Sequence, residues 1–251
     1  MTEITISLLV ILFFVGLCAG FFDAISGGGG LISLPAMLIA GVPPLTAIGT
    51  NKLQGLFGTA SATITFAARG HLDLRALWPI AFLCFMASSA GALTASYIPK
   101  EALTYAFPFI LIGVALYFAL SPNLTDLRRK PLIPTLILTS FLLPVVGFYD
   151  GIFGPGAGSF YMLMLLGLGG MGILQATAQT KLFNFASNLG GFIGFALIGA
   201  VSWKVGFSMA AGQIIGSTLG ARLAMKKGAK IIKPLLVTIC IATALKLLLS
   251  N

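Results

Sequence analysis

The sequence predicts an all-α, polytopic membrane protein made of two inverted repeats, about four to five membrane segments each, every repeat carrying a glycine-rich broken segment. Three observations predict it: too little charge for a water-soluble globule, apolar runs of membrane-spanning length, and a block of residues that occurs twice. Of 251 residues, 58% are hydrophobic and only 8% are charged, and mean hydropathy is +1.04. Soluble domains carry about 25% charged residues, and a globule this poor in charge would expose large apolar patches. The apolar excess also excludes low-complexity disorder. Cys18, Cys84 and Cys240 lie inside apolar runs without paired spacing, which suits neither a disulfide scaffold nor a zinc site. No metal or cofactor is expected.

Crossing ~30 Å of hydrocarbon takes ~20 apolar residues in a helix. Such spans read at roughly 5–25, 53–69, 76–97, 102–121, 132–150, 182–200, 205–225 and 232–249. Two apolar pieces, 31–40 and 159–169, are too short to span as straight helices. They suit half-helices or re-entrant segments beside a backbone break; whether they cross or turn back decides the number of crossings and the side of the termini. The first seven residues contain no basic residue and the apolar run continues well beyond them, unlike a cleavable signal. Continuous apolar runs, without two-residue alternation, exclude an outer-membrane barrel.

The net charge of +9 is unevenly placed. Ten of the fifteen Lys/Arg fall in three connections: Arg69 and Arg75; Arg128, Arg129 and Lys130; and Arg222, Lys226, Lys227, Lys230 and Lys233. The intervening connections hold Lys100 and Lys204. Basic loops stay in the cytoplasm, so the connections near 70, 126 and 228 are expected inside and those near 100 and 203 outside. This charge is a topology signal, and nucleic acid is not an expected partner. Trp78 and Trp203 lie beside loops, where indole rings prefer the membrane interface.

Residues 19–30, AGFFDAISGGGG, match residues 146–157, VGFYDGIFGPGA, at six of twelve positions. Further on, TNKL at 50–53 meets QTKL at 179–182. Gly70 then meets Gly199, and Gly91-Ala92 meets Gly220-Ala221. With the expected loop orientation, Lys52 starts its helix from outside and Lys181 from inside. The halves are therefore expected to be an inverted repeat: 1–121, a cytoplasmic connection at 122–131, and 132–251. Secondary transporters commonly have this form, with substrate held near the midplane at the repeat interface.

Each repeat opens with a break, Gly27, Gly28, Gly29 and Gly30 in the first and Gly154, Pro155, Gly156, Ala157 and Gly158 in the second. Glycine is disfavoured inside helices by about 1 kcal/mol. Unsatisfied backbone groups in lipid cost several kcal/mol each. Breaks at matching places are the best sequence pointer to a transporter site, and the helix N-termini beyond them suit an anion. Gly16/Gly20 and Gly216/Gly220 have the small-xxx-small spacing of helix packing.

Lys52 and Lys181 each stand at the start of an apolar stretch. They either snorkel to water or face a polar cavity where they balance an anion. Asp23 and Asp150 are the carboxylates inside apolar segments, directly before the breaks. They cap freed N–H groups or carry a coupling proton. Asn51, Gln54, Gln179, Thr180, Asn184 and Asn188 add polar groups to the lysine helices, to line the cavity or to bond between helices. His71, in a basic loop, is expected to be solvated. No nucleophile elbow, His-Glu zinc pattern, P-loop or dinucleotide fingerprint occurs, so neither an enzyme nor direct ATP coupling is expected.

The stretches AGFFDAISGGGGLISLPAML, GTNKLQG, VGFYDGIFGPGAGSFY and AQTKLFNFASNLGG, in this order and spread over both halves, resemble the TauE/SafE (TSUP) family of sulfite and organosulfonate exporters, and within it the YfcA-like branch. The resemblance implies an integral inner-membrane protein moving small sulfur-containing anions. The combined expectation is an alternating-access permease for a small anion, exporting it across a bacterial-type inner (plasma) membrane. The anion would be cradled by Gly27–Gly30 and Gly154–Gly158, with Asn51, Lys52, Thr180, Lys181 and Asn184 beside it and Asp23 and Asp150 capping the loops or carrying protons. An anion channel shares every one of these features. A non-transport assembly factor or intramembrane enzyme would need a reactive constellation at membrane depth. Its partners are then the lipid bilayer and a small anion, with proton coupling and homo-oligomerisation open.

Overall fold

The computed structural model describes residues 5–97 and 127–228, with 230–232, 234 and 238 beyond them. Among the described residues the chain forms two successions of four helices: α1 (Ile6–Ser26), α2 (Gly30–Ile39), α3 (Pro44–Ala67) and α4 (Leu74–Thr94), then α5 (Thr135–Ile152), α6 (Ala157–Leu168), α7 (Ile173–Leu197) and α8 (Trp203–Lys227). The spans expected at 102–121 and 232–249 lie outside the described residues, isolated positions of the second excepted, as does most of the 122–131 connection.

Local chemistry explains the boundaries. Thr5 caps α1 by accepting from the Leu8 N–H, and Asp73 caps α4 by accepting from that of Ala76. Pro44 opens α3, where its missing N–H costs nothing. α1 stops at Gly27, whose φ of +80° is a conformation that a side chain would strain. Between α5 and α6, Gly154 and Gly156 have φ of +97° and +83°. α5 contains a π-turn at Leu138–Leu142, just ahead of Pro144, where the wider turn relieves the clash of the proline ring with the preceding turn.

Two expected spans begin too late. The helices read at 53–69 and 182–200 start instead at Pro44 and Ile173. Their first turns are rich in Thr, Gly, Asn, Gln and Lys, which lowers hydropathy without breaking the helix. Lys52 and Lys181 are therefore each about 12 Å inside a helix, at 1.5 Å per residue, and not at its mouth.

Contact registers give the helix directions. Gly16 and Gly20 of α1 meet Met209 and Gln213 of α8, and Gly58 of α3 meets Gln213 and Ser217, so α1, α3 and α8 run parallel. Gly147 and Gly151 of α5 meet Cys84 and Ser88 of α4, while Gly190 and Gly194 of α7 meet Phe85 and Ala92, so α4, α5 and α7 run parallel. Between the two groups, Gly49 meets Phe195, Gly55 meets Asn188 and Gly191 meets Lys52. α3 and α7 are therefore antiparallel. Each repeat lends its last described helix to the other: α8 packs on α1 and α3, and α4 on α5 and α7.

The short helices turn back. Leu12 of α1 clusters with Met37 of α2, Ala47 of α3 and Met209 of α8, returning α2 to the end where α1 began. Leu132 N–H donates to the Leu168 carbonyl and Arg129 N–H to that of Gly170, which returns α6 to the start of α5. One end of the bundle gathers Phe66, Leu72, Ile133, Met171, Ile173 and Met225, with Arg69, His71, Arg222 and Lys226 around one cavity. The opposite end gathers Leu45, Ala92, Phe195, Ala200 and Val201. His71 is half-buried against the Phe66 ring, so it is less solvated than its loop suggests. Large apolar side chains cover the outside, including Phe14, Ile64, Phe141, Leu197 and Leu219. α1, α4 and α5 are long and apolar enough to cross a membrane.

Packing of α1 on α8 leaves no room at Gly216, where any Cβ would collide with the Leu17 carbonyl oxygen. Gly216→Val is expected to destabilise the bundle by about 1–3 kcal/mol, the usual cost of overpacking. Leu219→Val on the exposed face should leave it unchanged. Thermal unfolding in detergent, read for both variants, checks this.

Candidate functional site

The two breaks meet. A Cβ on Gly27 would collide with the Gly158 backbone, and one on Gly158 with Gly27. Ser159 Oγ donates to the Ser26 carbonyl at 3.2 Å. Glycine at both positions is what lets the two main chains touch. Beside this contact lies a cavity of about 30 Å³, room for one or two waters. Asp23, Gly27, Gly29, Gly30, Asn51, Asp150, Gly154, Gly156, Gly158 and Asn184 border it. Among the described residues, the N–H groups of Gly30, Gly154, Gly156 and Gly158 have no hydrogen-bond acceptor.

The lysines stand behind this wall in two ion pairs exchanged between the repeats. Lys52 Nζ of α3 lies 2.5 Å from Asp150 Oδ1 of α5, and Ser187 Oγ donates to the other carboxylate oxygen at 2.5 Å. Lys181 Nζ of α7 donates to the Asp23 main-chain carbonyl and lies 3.6 Å from its Oδ2. Asp23 Oδ1 in turn accepts from the Gly29 N–H at 3.0 Å, so this carboxylate caps the break. Both lysines are 0% exposed, which overturns snorkelling: mid-helix placement leaves no water in reach. The Lys52 stem crosses α7 at Gly191, where a Cβ would stand 3.1 Å from it. The charges add to zero, two ammonium groups against two carboxylates, so the cavity is walled by dipoles and not by a net positive charge.

Gly28 and Thr180 do not border the cavity. The Gly28 carbonyl accepts from the Leu31 N–H, and Thr180 Oγ1 is buried without a partner among the described residues. Of the other polar residues expected to line the cavity, Gln54 and Asn188 border it and Gln179 does not; the structure adds Thr59 and Gln213 to the wall, and Ser33 and Ser187 behind it. Gln54 and Asn188 were visible as polar residues on the lysine helices. Gln213 was not: its repeat counterpart is Cys84, so comparing the halves hides it, and only its place as an amide among small residues of α8 could have signalled it.

Fold and site define an integral membrane protein with a polar cavity between two helix breaks. The profile of the family described as "Sulfite exporter TauE/SafE" matches residues 12–247, and the chain belongs to that family. It is 51% identical to a "Probable membrane transporter protein ORF9" of Sinorhizobium sp over 99% of this chain and 95% of that protein. It is 44% identical to a probable membrane transporter protein of Haemophilus influenzae over 94% of this chain and 92% of the relative. Over 96% of this chain and 90% of the relative, it is 42% identical to the probable membrane transporter protein YfcA of Escherichia coli. No solved structure matches the chain.

Removing one member of a buried ion pair strands the other charge, at a cost of about 3–5 kcal/mol, whereas replacing both with neutral groups costs far less. Lys52→Met is expected to lower the thermal stability of the protein in detergent strongly. Lys52→Met combined with Asp150→Asn should recover most of the loss. Equal or greater loss in the double variant would mean that the pair does not hold the fold.

Proposed function

We propose that the protein is a secondary transporter of a small anion, sulfur-containing by family, working by alternating access between two inverted halves. The observation that carries this reading is the wall of four unpartnered glycine N–H groups where the breaks touch. Donors held open in a low-dielectric interior are costly unless something accepts from them, and an oxyanion offers several acceptor atoms at once. Helix N-termini add their positive dipole ends at α2 and α6.

In this reading the bundle lies in a bacterial-type inner membrane with its basic end in the cytoplasm, and α3 and α7, antiparallel and matched, relate the halves by inversion. With the two breaks in contact and a cavity of only about 30 Å³ beside them, we read the arrangement as a closed one. Loading requires one break to draw away from the other, carrying α2 or α6 with it. That favours a carrier over a standing pore. The exchanged ion pairs sit on either side of the cavity, Lys52 nearer the end with the α7–α8 connection and Lys181 nearer the basic end. Opening one side loosens one pair while the other holds. Lys52 and Lys181 balance the anion when their partners give way, and Asp23 and Asp150 hold the loops. An interior-negative potential of 100 mV drives one negative charge outward with about 2.3 kcal/mol, so export needs no coupled ion.

Proteoliposomes loaded with sulfite, thiosulfate or an alkyl sulfonate test this. Saturable efflux with trans-stimulation is expected. Gly30→Val, whose Cβ would stand 3.2 Å from the Asn51 amide nitrogen and 3.3 Å from Pro155 Cα, should cut it at least tenfold. Lys52→Ala with Lys181→Ala should abolish it, and unchanged flux there would remove the lysines from the mechanism. Efflux indifferent to Gly30→Val would place the anion elsewhere.

A further inference from the structure

A chain of side-chain amides runs into the cavity wall from α8, and its polarity is set link by link. Gln213 Nε2 donates to Gln54 Oε1 at 2.6 Å. With its oxygen so engaged, Gln54 turns its Nε2 the other way, donating to Asn51 Oδ1 at 2.7 Å and to Ser33 Oγ at 2.8 Å. Ser33 Oγ also donates to Asn51 Oδ1 at 2.6 Å and reaches the Gly29 carbonyl at 3.2 Å. The Asn51 oxygen thus receives two donors, and its nitrogen is the end left over. That Nδ2 has no acceptor among the described residues and stands beside Gly30, at the cavity wall. A primary amide presents either a donor or an acceptor face to a site, according to which way it is turned. Here the chain turns the donor face inward, alongside the open glycine N–H groups.

We propose that Gln213 is a positioning residue that, through Gln54, holds Asn51 with its N–H₂ toward the substrate and so makes the site select for anions. This deepens the anion-carrier reading and rests on it. The second repeat has a shorter relay at other positions, where Asn188 Nδ2 donates to Asn184 Oδ1 at 3.0 Å and to its main-chain carbonyl at 2.7 Å, while Cys84, Phe183 and Thr180 occupy the positions of Gln213, Gln54 and Asn51. The lysines, already paired, leave this selection to neutral donors.

A double-mutant cycle tests it, because groups acting through one another give non-additive effects. The variants are Gln213→Met, close in length and without hydrogen bonds, Asn51→Ala, and both together. Two readouts are taken: KM for sulfite efflux from proteoliposomes, and the thermal shift that sulfite, thiosulfate, sulfate, nitrate and chloride each give in detergent at fixed ionic strength. Losing a hydrogen bond to a charged group weakens binding about tenfold. Each single variant is expected to raise KM for sulfite by about that factor with the maximal rate little changed. The double variant should be no worse than Asn51→Ala alone. Additive increases in KM would mean that Gln213 acts independently of Asn51, and an unchanged KM in Gln213→Met would mean that Asn51 needs no alignment; either overturns the proposal while leaving the carrier intact. A wild type that binds and moves no anion of the panel overturns both.

Discussion

A buried charge in a membrane protein must find an opposite charge or carry a cost of several kcal/mol, and this constraint organises the molecule. Lys52 and Lys181 lie in the middle of their helices, out of reach of water. Each takes its counter-charge from the other repeat, at Asp150 and Asp23. Neither half is electrostatically complete alone. The pairs join α3 to α5 and α7 to α1 across the boundary that α4 and α8 already bridge by packing. Asp23 does a second task, since its carboxylate also caps the Gly29 N–H, tying the geometry of the break to the state of the ion pair.

The breaks supply what the ion pairs leave over. Gly27 against Gly158 brings two main chains together with no side chain between them, so backbone donors from both repeats converge on one small volume. Any larger residue at either position would part the breaks and open the donors to different surroundings. Under the proposed mechanism the same contact is the moving part, because it is held by close approach and one hydroxyl bond and not by interdigitated side chains. Under the same proposal the anion meets many modest neutral donors first, with the lysines balancing its charge only as their partners give way, which suits a carrier that must also let go.

Much of this was legible in the chain itself. Composition and run length gave the membrane class. The duplicated GFxD and Gly-rich blocks gave the breaks within about two residues, and small-xxx-small spacing identified Gly16, Gly20, Gly216 and Gly220 as packing positions. The helix starts at Pro44 and Ile173 were misread because hydropathy treats buried Thr, Asn, Gln and Lys as boundary signals. Gln213 escaped because repeat comparison rewards only what the halves share, and this amide belongs to one of them.

Sequence alone thus determined that the chain is helical, membrane-embedded, doubled and broken at matching glycines, since these follow from local composition and order. Tertiary structure decided the partners: which aspartate each lysine meets, that the breaks touch, that α2 and α6 turn back, and which face Asn51 presents. Those are contacts between residues 98, 133, 158 and 159 positions apart. Their energies depend on burial and on direction, neither of which is encoded at any single stretch of the chain.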